Sequence, residues 1–265
     1  MAIVVILSQI LYPVKIMMNK IYIEKNKIYS DNPNVLIKNN KITFTSDGEY
    51  IVIYEEDGEY NITFTSDKDI KLIETSFDKV LNINNRYIVN NKFRVFKFYN
   101  NKSVFEHINI DLCSELADIN YHFSNICRLE EHYTIDINHK CKNTSSNIVN
   151  KSIALKNSIL KFIINSNVGK QETGSVLDQS TRILAMGECD ASISPNMFID
   201  LDDVSAKHGS VIGSFKEDDV FYLMSRGISY SDAIKLLIKG YIMGNMDVDV
   251  DTRTMIMEII DTYWR

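Results

Sequence analysis

The stretch KITFTSDGEYIVIYEEDGEYNITFTS, from Lys41 to Ser66, decides the fold class because apolar and polar residues alternate along it. Alternation with a period of two is typical of β-strands that bury one face. The stretch is interrupted at Asp47-Gly48 and at Asp57-Gly58, and Asp-Gly is a frequent turn in β-hairpins. The first hundred residues are therefore predicted to form an antiparallel β region.

The motif ITFTSD occurs twice in this region, at Ile42 and again at Ile62. A repeat with a period of about 20 residues is typical of folds that stack one structural unit on the next. The repeat therefore predicts a stacked β layer rather than a pair of helices.

Short strands continue from about Ser103 to Gly213 without helical periodicity. The segments are VFEHINIDL, ADINYHF, YTIDINH, SIALKN, ILKFIINS and MFIDL. Short apolar strands joined by polar corners bury a continuous core when they stack, so the pattern predicts a solenoid of β coils. A β-sandwich would produce a similar pattern and stays open at this point.

The last fifty residues change to a helical pattern. One predicted helix ends at Gly227, a residue type favoured after helix C-termini. A second begins at Ser229, with Asp232 three residues later as a variant of the capping box. Apolar residues with helical spacing follow in two sets: Ile234, Leu237, Ile238 and Tyr241, then Ile256, Ile259, Ile260 and Tyr263.

Composition excludes several classes of protein. The net charge of −6 and the absence of a basic stripe argue against a nucleic-acid-binding protein. The four cysteines form no CxxC motif, so free thiols in a cytoplasmic protein are expected. No Walker A, GxGxxG or HExxH motif occurs, so we expect no nucleotide site in this chain.

The first twenty residues, MAIVVILSQILYPVKIMMNK, are apolar at first. The apolar run lacks preceding positive residues and is too short to span a bilayer, so neither a signal peptide nor a membrane anchor is expected. A buried first strand is one interpretation. A true start at Met17 or Met18 is the other.

The stretch AKHGSVIGSFKEDDVFYLMSRGISYSDAIKLLIKGYI, residues Ala206 to Ile242, resembles the C-terminal signature of the SufB/SufD family of iron–sulfur cluster assembly proteins. The matching residues are His208, Gly209, Glu217, Phe221, Tyr222, Arg226, Gly227, Ile228, Ala233, Leu237, Ile238 and Gly240. A looser likeness extends back to about Ser103. Residues before it do not align, and the chain is short for the family.

The resemblance implies a mainly β fold with a right-handed parallel β-helix. It implies an N-terminal β-rich region at residues 1–102, a β-helix core at 103–215 and a small C-terminal helical domain at 216–265. It also implies a scaffold or partner subunit, not an enzyme, that works with a SufC-type ABC ATPase and a second SufB/SufD-type protomer. A transient iron–sulfur cluster would be the cargo.

The same resemblance singles out Cys189 and His208 as candidates for handling sulfur or a cluster. Thiolate and imidazole both ligate iron, and a nearby imidazolium would activate the thiol. Cys189 corresponds to the second of two cysteines common in SufB, and Ser180 lies near the first. Gly209 follows the histidine as in SufD, where SufB usually has Glu. A homodimer in a minimal Suf system and a SufD-like subunit paired with a separate SufB both stay open.

His139 and Cys141 are weaker candidates, since residues two apart share one face of a strand. Cys113, Cys127, His107, His122 and His132 have the same standing. The ATPase-docking candidates are Phe221, Tyr222, Arg226 and Leu237, because helix-in-groove binding uses such anchors. The structural alternative is that these helices only pack on the β-helix.

Two other functions compete with an active scaffold. One is a purely structural SufD-like subunit that binds no cluster. The other is a carbohydrate-active β-helix enzyme, which would need carboxylates and basic residues clustered on one face. The sequence shows no such cluster.

Overall fold

The computed structural model of the chain describes residues 19–25, 27–244 and 246–263, which contain seventeen β-strands and three α-helices. The strand predicted near the N-terminus and the alternative start at Met17 or Met18 lie outside the described residues.

The strands form two sheets. Sheet A contains β1 (Lys20–Glu24), β2 (Lys27–Ser30), β5 (Gly48–Tyr54), β7 (Ile70–Phe77), β9 (Lys92–Asn100), β11 (Asp118–Cys127), β13 (Ser145–Leu155), β15 (Ser175–Met186) and β17 (Val204–Gly213). Sheet B contains β3 (Val35–Lys38), β4 (Lys41–Phe44), β6 (Gly58–Ser66), β8 (Val80–Val89), β10 (Ser103–Leu112), β12 (Glu130–His139), β14 (Ile159–Val168) and β16 (Asp190–Ile199).

From β4 onward the chain passes alternately between the two sheets, and each strand pairs in parallel with the strand two places later. This is a parallel β-solenoid of about seven turns, which confirms the predicted stacked coils. The coils lengthen along the chain. Lys41 pairs with Thr63, 22 residues later, whereas Ile159 pairs with Asp190, 31 residues later.

The prediction of hairpins at the two Asp-Gly sites is wrong. Each site is a corner that takes the chain from one sheet to the other, and the flanking strands do not pair with each other. The physical reason is conformational: neither Gly48 nor Gly58 has the positive φ that a tight hairpin turn requires.

Antiparallel pairing is found at the first end of the solenoid, in the hairpins β1–β2 and β3–β4. Asn39 turns the second hairpin with a φ of 53°, a conformation that asparagine tolerates. These hairpins form the first edges of sheets A and B.

The ITFTSD repeat is confirmed as a pair of stacked strands. Ile42 lies opposite Phe64, two residues beyond the second copy of the motif's isoleucine. A shift of two residues keeps every side chain on its predicted face, because side chains alternate along a strand.

The solenoid core lies between the sheets. Ile42, Phe64, Tyr87, Ile110 and Ile137 are fully buried on the inner face of sheet B. Stacked and edge-to-face rings fill much of the space, as in the stacked pair Phe64 and Tyr87 with centroids 5.2 Å apart. Burial of this apolar area is the main force that holds the coils together.

The three helices are α1 (Glu217–Ser225), α2 (Tyr230–Met243) and α3 (Val250–Tyr263). Both predicted caps of the helical region are confirmed. Gly227 has a φ of 86°, and its N–H donates to the Met224 carbonyl at 3.0 Å. The Ser229 hydroxyl accepts the N–H of Asp232 at 3.1 Å.

A second core forms where α2 and α3 cover the outer face of sheet A. Ile234, Ile238, Ile256 and Ile260 pack there, which confirms the predicted apolar faces. Their partners on the sheet are Ile73, Phe96, Phe98, Ile126, Ile153 and Leu184. The middle strands of sheet A are therefore buried on both faces.

The predicted division between residues 102 and 103 falls in the turn between β9 and β10. Both sheets continue across it, since β10 pairs with β8 and β11 pairs with β9. In the part of the chain that the structure describes, no helix is long and apolar enough to cross a membrane.

Candidate functional site

The last coil is formed by β16 and β17. β16 is the outermost strand of sheet B, and β17 is the outermost strand of sheet A. Inner-face residues of earlier coils are buried by the next coil, whereas residues of β17 are exposed along nearly its whole length. Ile212, which lies on the inner face opposite the buried Ile183, is 46% exposed, and Phe198 and Val211 on the outer faces are 56% and 53% exposed. An edge with unpaired backbone groups and exposed apolar side chains is a surface that another chain can cover.

His208 lies in the middle of β17, directly opposite Gln179 of β15. Gln179 is buried in the core and donates to the Ser166 hydroxyl at 2.5 Å. Because paired residues in a parallel ladder share a face, His208 belongs to the inner face of the last coil. It is exposed there, at the open end of the solenoid.

Cys189 lies in the corner between β15 and β16, and it packs against the solenoid core. The corner stacks on the previous coil, where the Asp190 N–H donates to the Ser158 carbonyl at 2.9 Å. Burial and then the Asp190 carboxylate raise the pKa of the Cys189 thiol. The group is therefore a thiol, rather than an activated thiolate, at neutral pH.

The structure does not bring Cys189 and His208 together within one chain. His208 is opposite Gln179, seven residues before β15 ends at Met186, and Cys189 follows that end. At about 3.3 Å per residue the two positions are roughly 20 Å apart. Within the described ranges, no group of three or more His, Cys, Asp or Glu residues is arranged to hold a metal ion.

His139 and Cys141 do not share a strand face, so that prediction is wrong. β12 ends at His139, and Cys141 lies in the following corner. His139 is buried, with its ring nitrogens 2.7 Å from the Thr144 hydroxyl and 2.9 Å from the Ser146 hydroxyl. Burial lowers the pKa of His139 to about 4. Its imidazole is a neutral structural group.

The remaining cysteines each lie near another cysteine, Cys113 near Cys141 and Cys127 near Cys189. Cys127 is buried, and its Sγ lies 3.3 Å from the Ile159 carbonyl oxygen. His122 stacks on Phe96 under the helices. His107 lies 2.5 Å from Asp136 on the outer face of sheet B.

The docking candidates lie on α1, at its C-terminal cap and on α2. Phe221 and Tyr222 are 73% and 58% exposed, and α1 has no buried residue. The Arg226 guanidinium lies 5.3 Å from the centre of the Tyr222 ring, which holds the two side chains together. Leu237 is half-buried on α2.

The solenoid interior contains a charged cluster that the sequence did not reveal. The Lys97 ammonium contacts the carboxylate of Glu106 and lies 3.6 Å from that of Glu74. The Tyr87 hydroxyl donates to Glu74. Burial and the Glu74 carboxylate raise the pKa of Glu106 to about 7, although the Lys97 ammonium acts in the opposite direction.

The outer face of sheet B carries a second cluster that was missed. Asp111 accepts hydrogen bonds from Arg86 at 2.7 Å and from Asn138 at 3.1 Å, and Lys140 lies 2.8 Å away. Burial opposes ionisation, but the hydrogen bonds from Lys140 and Arg86 hold the pKa of Asp111 below its usual value. This carboxylate is neutralised by its neighbours.

The profile of the family described as "SUF system FeS cluster assembly, SufBD core domain" matches residues 69–241. The match begins well before Ser103, so the likeness extends further toward the N-terminus than predicted. It spans the solenoid from β7 to β17, together with α1 and most of α2.

Curated proteins described as iron-sulfur cluster assembly SufBD family proteins are similar to part of the chain. Those of Staphylococcus saprophyticus and Staphylococcus aureus are each 33% identical over 106 residues. The aligned part is 39% of this chain and 23% of each relative, so the match covers about a quarter of the relatives' length. Because the family profile matches more than half of the chain, the chain belongs to the SufBD family of the SUF system for iron–sulfur cluster assembly.

Proposed function

We propose that the chain is a scaffold or partner subunit of an iron–sulfur cluster assembly complex, and that it acts by binding rather than by catalysis. The observation that carries the proposal is the extent of the family match, which includes the last coil of the solenoid and helix α1. Both are surfaces with exposed apolar side chains.

The last coil is proposed to bind a second SufBD-type protomer. Its two strands are the unpaired edges of the sheets, and Phe198 and Ile212 are exposed large apolar residues on them. Joining two open ends would bury the inner face of each last coil, including His208. The partner would be a second copy of this chain or a longer family member.

The helical domain is proposed to bind a SufC-type ABC ATPase through α1. Phe221, Tyr222 and Arg226 form an exposed aromatic and cationic group, and such residues dominate binding energy at interfaces. Leu237 of α2 would contribute apolar contact beside them. ATP hydrolysis would belong to that partner.

Within this assembly, His208 is the stronger cluster-handling candidate, because it lies at the open end where two protomers would meet. Cys189 is packed in a corner as a thiol, so it would act only after partner binding or iron lowers its pKa. Since the two residues are far apart in one chain, a cluster held by both would have to draw ligands from two chains.

The purely structural subunit is the second candidate function. The observation that favours it is the distance of roughly 20 Å between Cys189 and His208 within one chain. In that case the chain would complete the dimer while its partner provides the cluster ligands.

Anaerobic reconstitution with iron and sulfide separates these two functions. An active scaffold is expected to gain visible absorption from a cluster, and Cys189→Ser or His208→Ala should reduce it, while Ser205→Ala, an exposed control on β17, should not. If neither the chain alone nor the chain with its partner protomer gains a cluster that depends on these residues, the structural function is correct.

Capture of a purified SufC-type ATPase from the same source tests the proposed ATPase-binding surface on α1. The wild-type chain is expected to retain the ATPase, Tyr222→Ala and Arg226→Ala should lose it, and the control Phe105→Ala on the outer face of sheet B should not. An ATPase that the wild-type chain does not retain contradicts the partnership. Binding that survives both helix substitutions contradicts the assignment to α1.

A further inference from the structure

Two glutamates in the solenoid interior are paired with asparagine side chains. Glu106 on β10 accepts a hydrogen bond from the Asn85 amide nitrogen at 3.1 Å. Glu131 on β12 accepts one from the Asn125 amide nitrogen. All four residues are buried.

Each pair leaves the same two oxygen atoms without a hydrogen-bond partner. In the first pair these are Oε2 of Glu106 and Oδ1 of Asn85, and in the second Oε1 of Glu131 and Oδ1 of Asn125. An ionised carboxylate and an amide carbonyl are both acceptors only. What each pair lacks is a single donor between two buried acceptors.

We infer that Glu106 and Glu131 are proton-binding sites that hold a proton at neutral pH, each donating its carboxyl O–H to the amide oxygen of its asparagine partner. A carboxylic acid and a primary amide then make two reciprocal hydrogen bonds, one in each direction. One proton per pair satisfies all of the orphaned atoms.

The charges around Glu106 support this assignment. The cluster contains one ammonium, Lys97, and two carboxyl groups, Glu74 and Glu106. With a proton on Glu106, the Lys97 ammonium and the Glu74 carboxylate balance each other, and the buried cluster is neutral. The titratable groups that face Glu106 are Tyr54 on β5, Glu74 on β7, Tyr87 on β8, Lys97 and Tyr99 on β9, Tyr121 on β11 and Glu131 on β12.

Glu131 has fewer neighbours than Glu106 that could stabilise an ionised carboxylate. It makes no ion pair within the described ranges, and its second contact is the Tyr133 hydroxyl, which donates to Oε2 at 2.8 Å. The other titratable groups near it are Arg128 in the corner before β12, Cys127 on β11 and Glu106 on β10. An isolated buried carboxylate is costly, so the neutral form is favoured.

The electrostatics agree in direction. Burial is the largest cause in both cases, and it raises the pKa of Glu106 to about 7 and that of Glu131 to about 8, from an ordinary value of 4.5. A folded-state pKa above the unfolded value means that the folded state binds more protons between those limits. The contribution to stability is complete below pH 4.5 and is lost as pH rises through 7 to 8.

Infrared difference spectroscopy of the full chain, recorded while the pH is raised, tests the inference. The wild-type protein is expected to show the carbonyl band of protonated carboxylic acids at mildly acidic pH, and to lose it only as the pH rises through 7 to 8. Glu106→Gln and Glu131→Gln should each remove part of the band. Glu59→Gln, an exposed control, should leave it unchanged.

Glutamine mimics a protonated glutamate, so both variants should fold with wild-type thermal stability at mildly acidic pH. They should also lose stability less steeply as pH rises. An acid band that neither variant reduces, or no such band in the wild type, overturns the inference. If a variant does not fold, carboxyl-carbon NMR of the glutamate-labelled wild-type protein decides: two side chains must titrate near neutral pH, and titration of all glutamates near the ordinary value overturns it.

Discussion

Ile183 in the sixth coil and Ile212 in the last coil are neighbours in one ladder, on the same inner face, yet their environments differ. Ile183 is fully buried, whereas Ile212 is 46% exposed. The same contrast separates Gln179, which is buried, from its exposed neighbour His208. The difference arises because β17 covers β15, while β17 is itself the outermost strand of sheet A.

The comparison shows that burial in this fold depends on the position of a coil in the stack. Each coil contacts only its neighbours, so a terminal coil with an ordinary inner face exposes that face until something covers it. The N-terminal end differs, because two hairpins form its edges. The open C-terminal end is therefore the natural place for an interface.

Removing a buried charge partner should have the largest effect. Lys97→Met in the third coil leaves the Glu74 carboxylate buried without its cation, and the free energy of unfolding should fall by about 3–5 kcal/mol. Lys207→Met in the last coil is the matched control. Lys207 lies 2.8 Å from Asp178 but is 71% exposed, so little change is expected. Urea denaturation measures both.

Equal effects of these two substitutions would contradict the contrast between the coils. If Lys97→Met left the free energy of unfolding unchanged, the interior would be hydrated enough to screen the Glu74 carboxylate. If Lys207→Met were as costly as Lys97→Met, the last coil would already be covered in the isolated protein.

Truncating the neighbouring isoleucines sharpens the same comparison. Ile183→Ala should lower the free energy of unfolding by about 2–5 kcal/mol, because it leaves a cavity in the core. Ile212→Ala should cost less than about 1 kcal/mol in the isolated chain, since its side chain is half in solvent. Thermal and urea unfolding measure these changes, and a larger cost for Ile212→Ala would refute the account of an open end.

The smallest expected effect is the difference in thiol reactivity between Cys127 in the interior and Cys189 near the last coil. Burial, followed by the Glu131 carboxylate, raises the pKa of Cys127 strongly, and a smaller rise applies to Cys189. Because the thiolate is the reactive form, alkylation of Cys189 should be slow and that of Cys127 slower still. Mass spectrometry of the alkylated protein measures the order, and Cys127 modified before Cys189 would contradict it.

The sequence predicted the stacked strands and the terminal helices because both signals are local. Alternation marked the strands, and Gly227 and Ser229 marked the helix boundaries. The Asp-Gly corners were misinterpreted because a corner between two sheets and a hairpin turn use similar residues. The difference between them lies in φ at Gly48 and Gly58, which the sequence does not specify.

The interior charges could not be predicted for a different reason. Lys97 lies in FRVFKFYN, where both faces of β9 are apolar because the core lies on one side and the helices on the other. Alternation therefore does not say which way Lys97 faces. The distance between Cys189 and His208 was equally hidden, since it depends on the register of β17 against β15.

The central claim is that the open last coil is covered by a second SufBD-type protomer. Sedimentation velocity of the purified chain, alone and mixed with a longer SufBD-family protein from the same source, tests it most directly. The account predicts a dimer in at least one of these samples, and Phe198→Lys combined with Ile212→Lys should return it to monomers. A chain that stays monomeric in both samples, or a dimer that the double substitution does not affect, would contradict the claim.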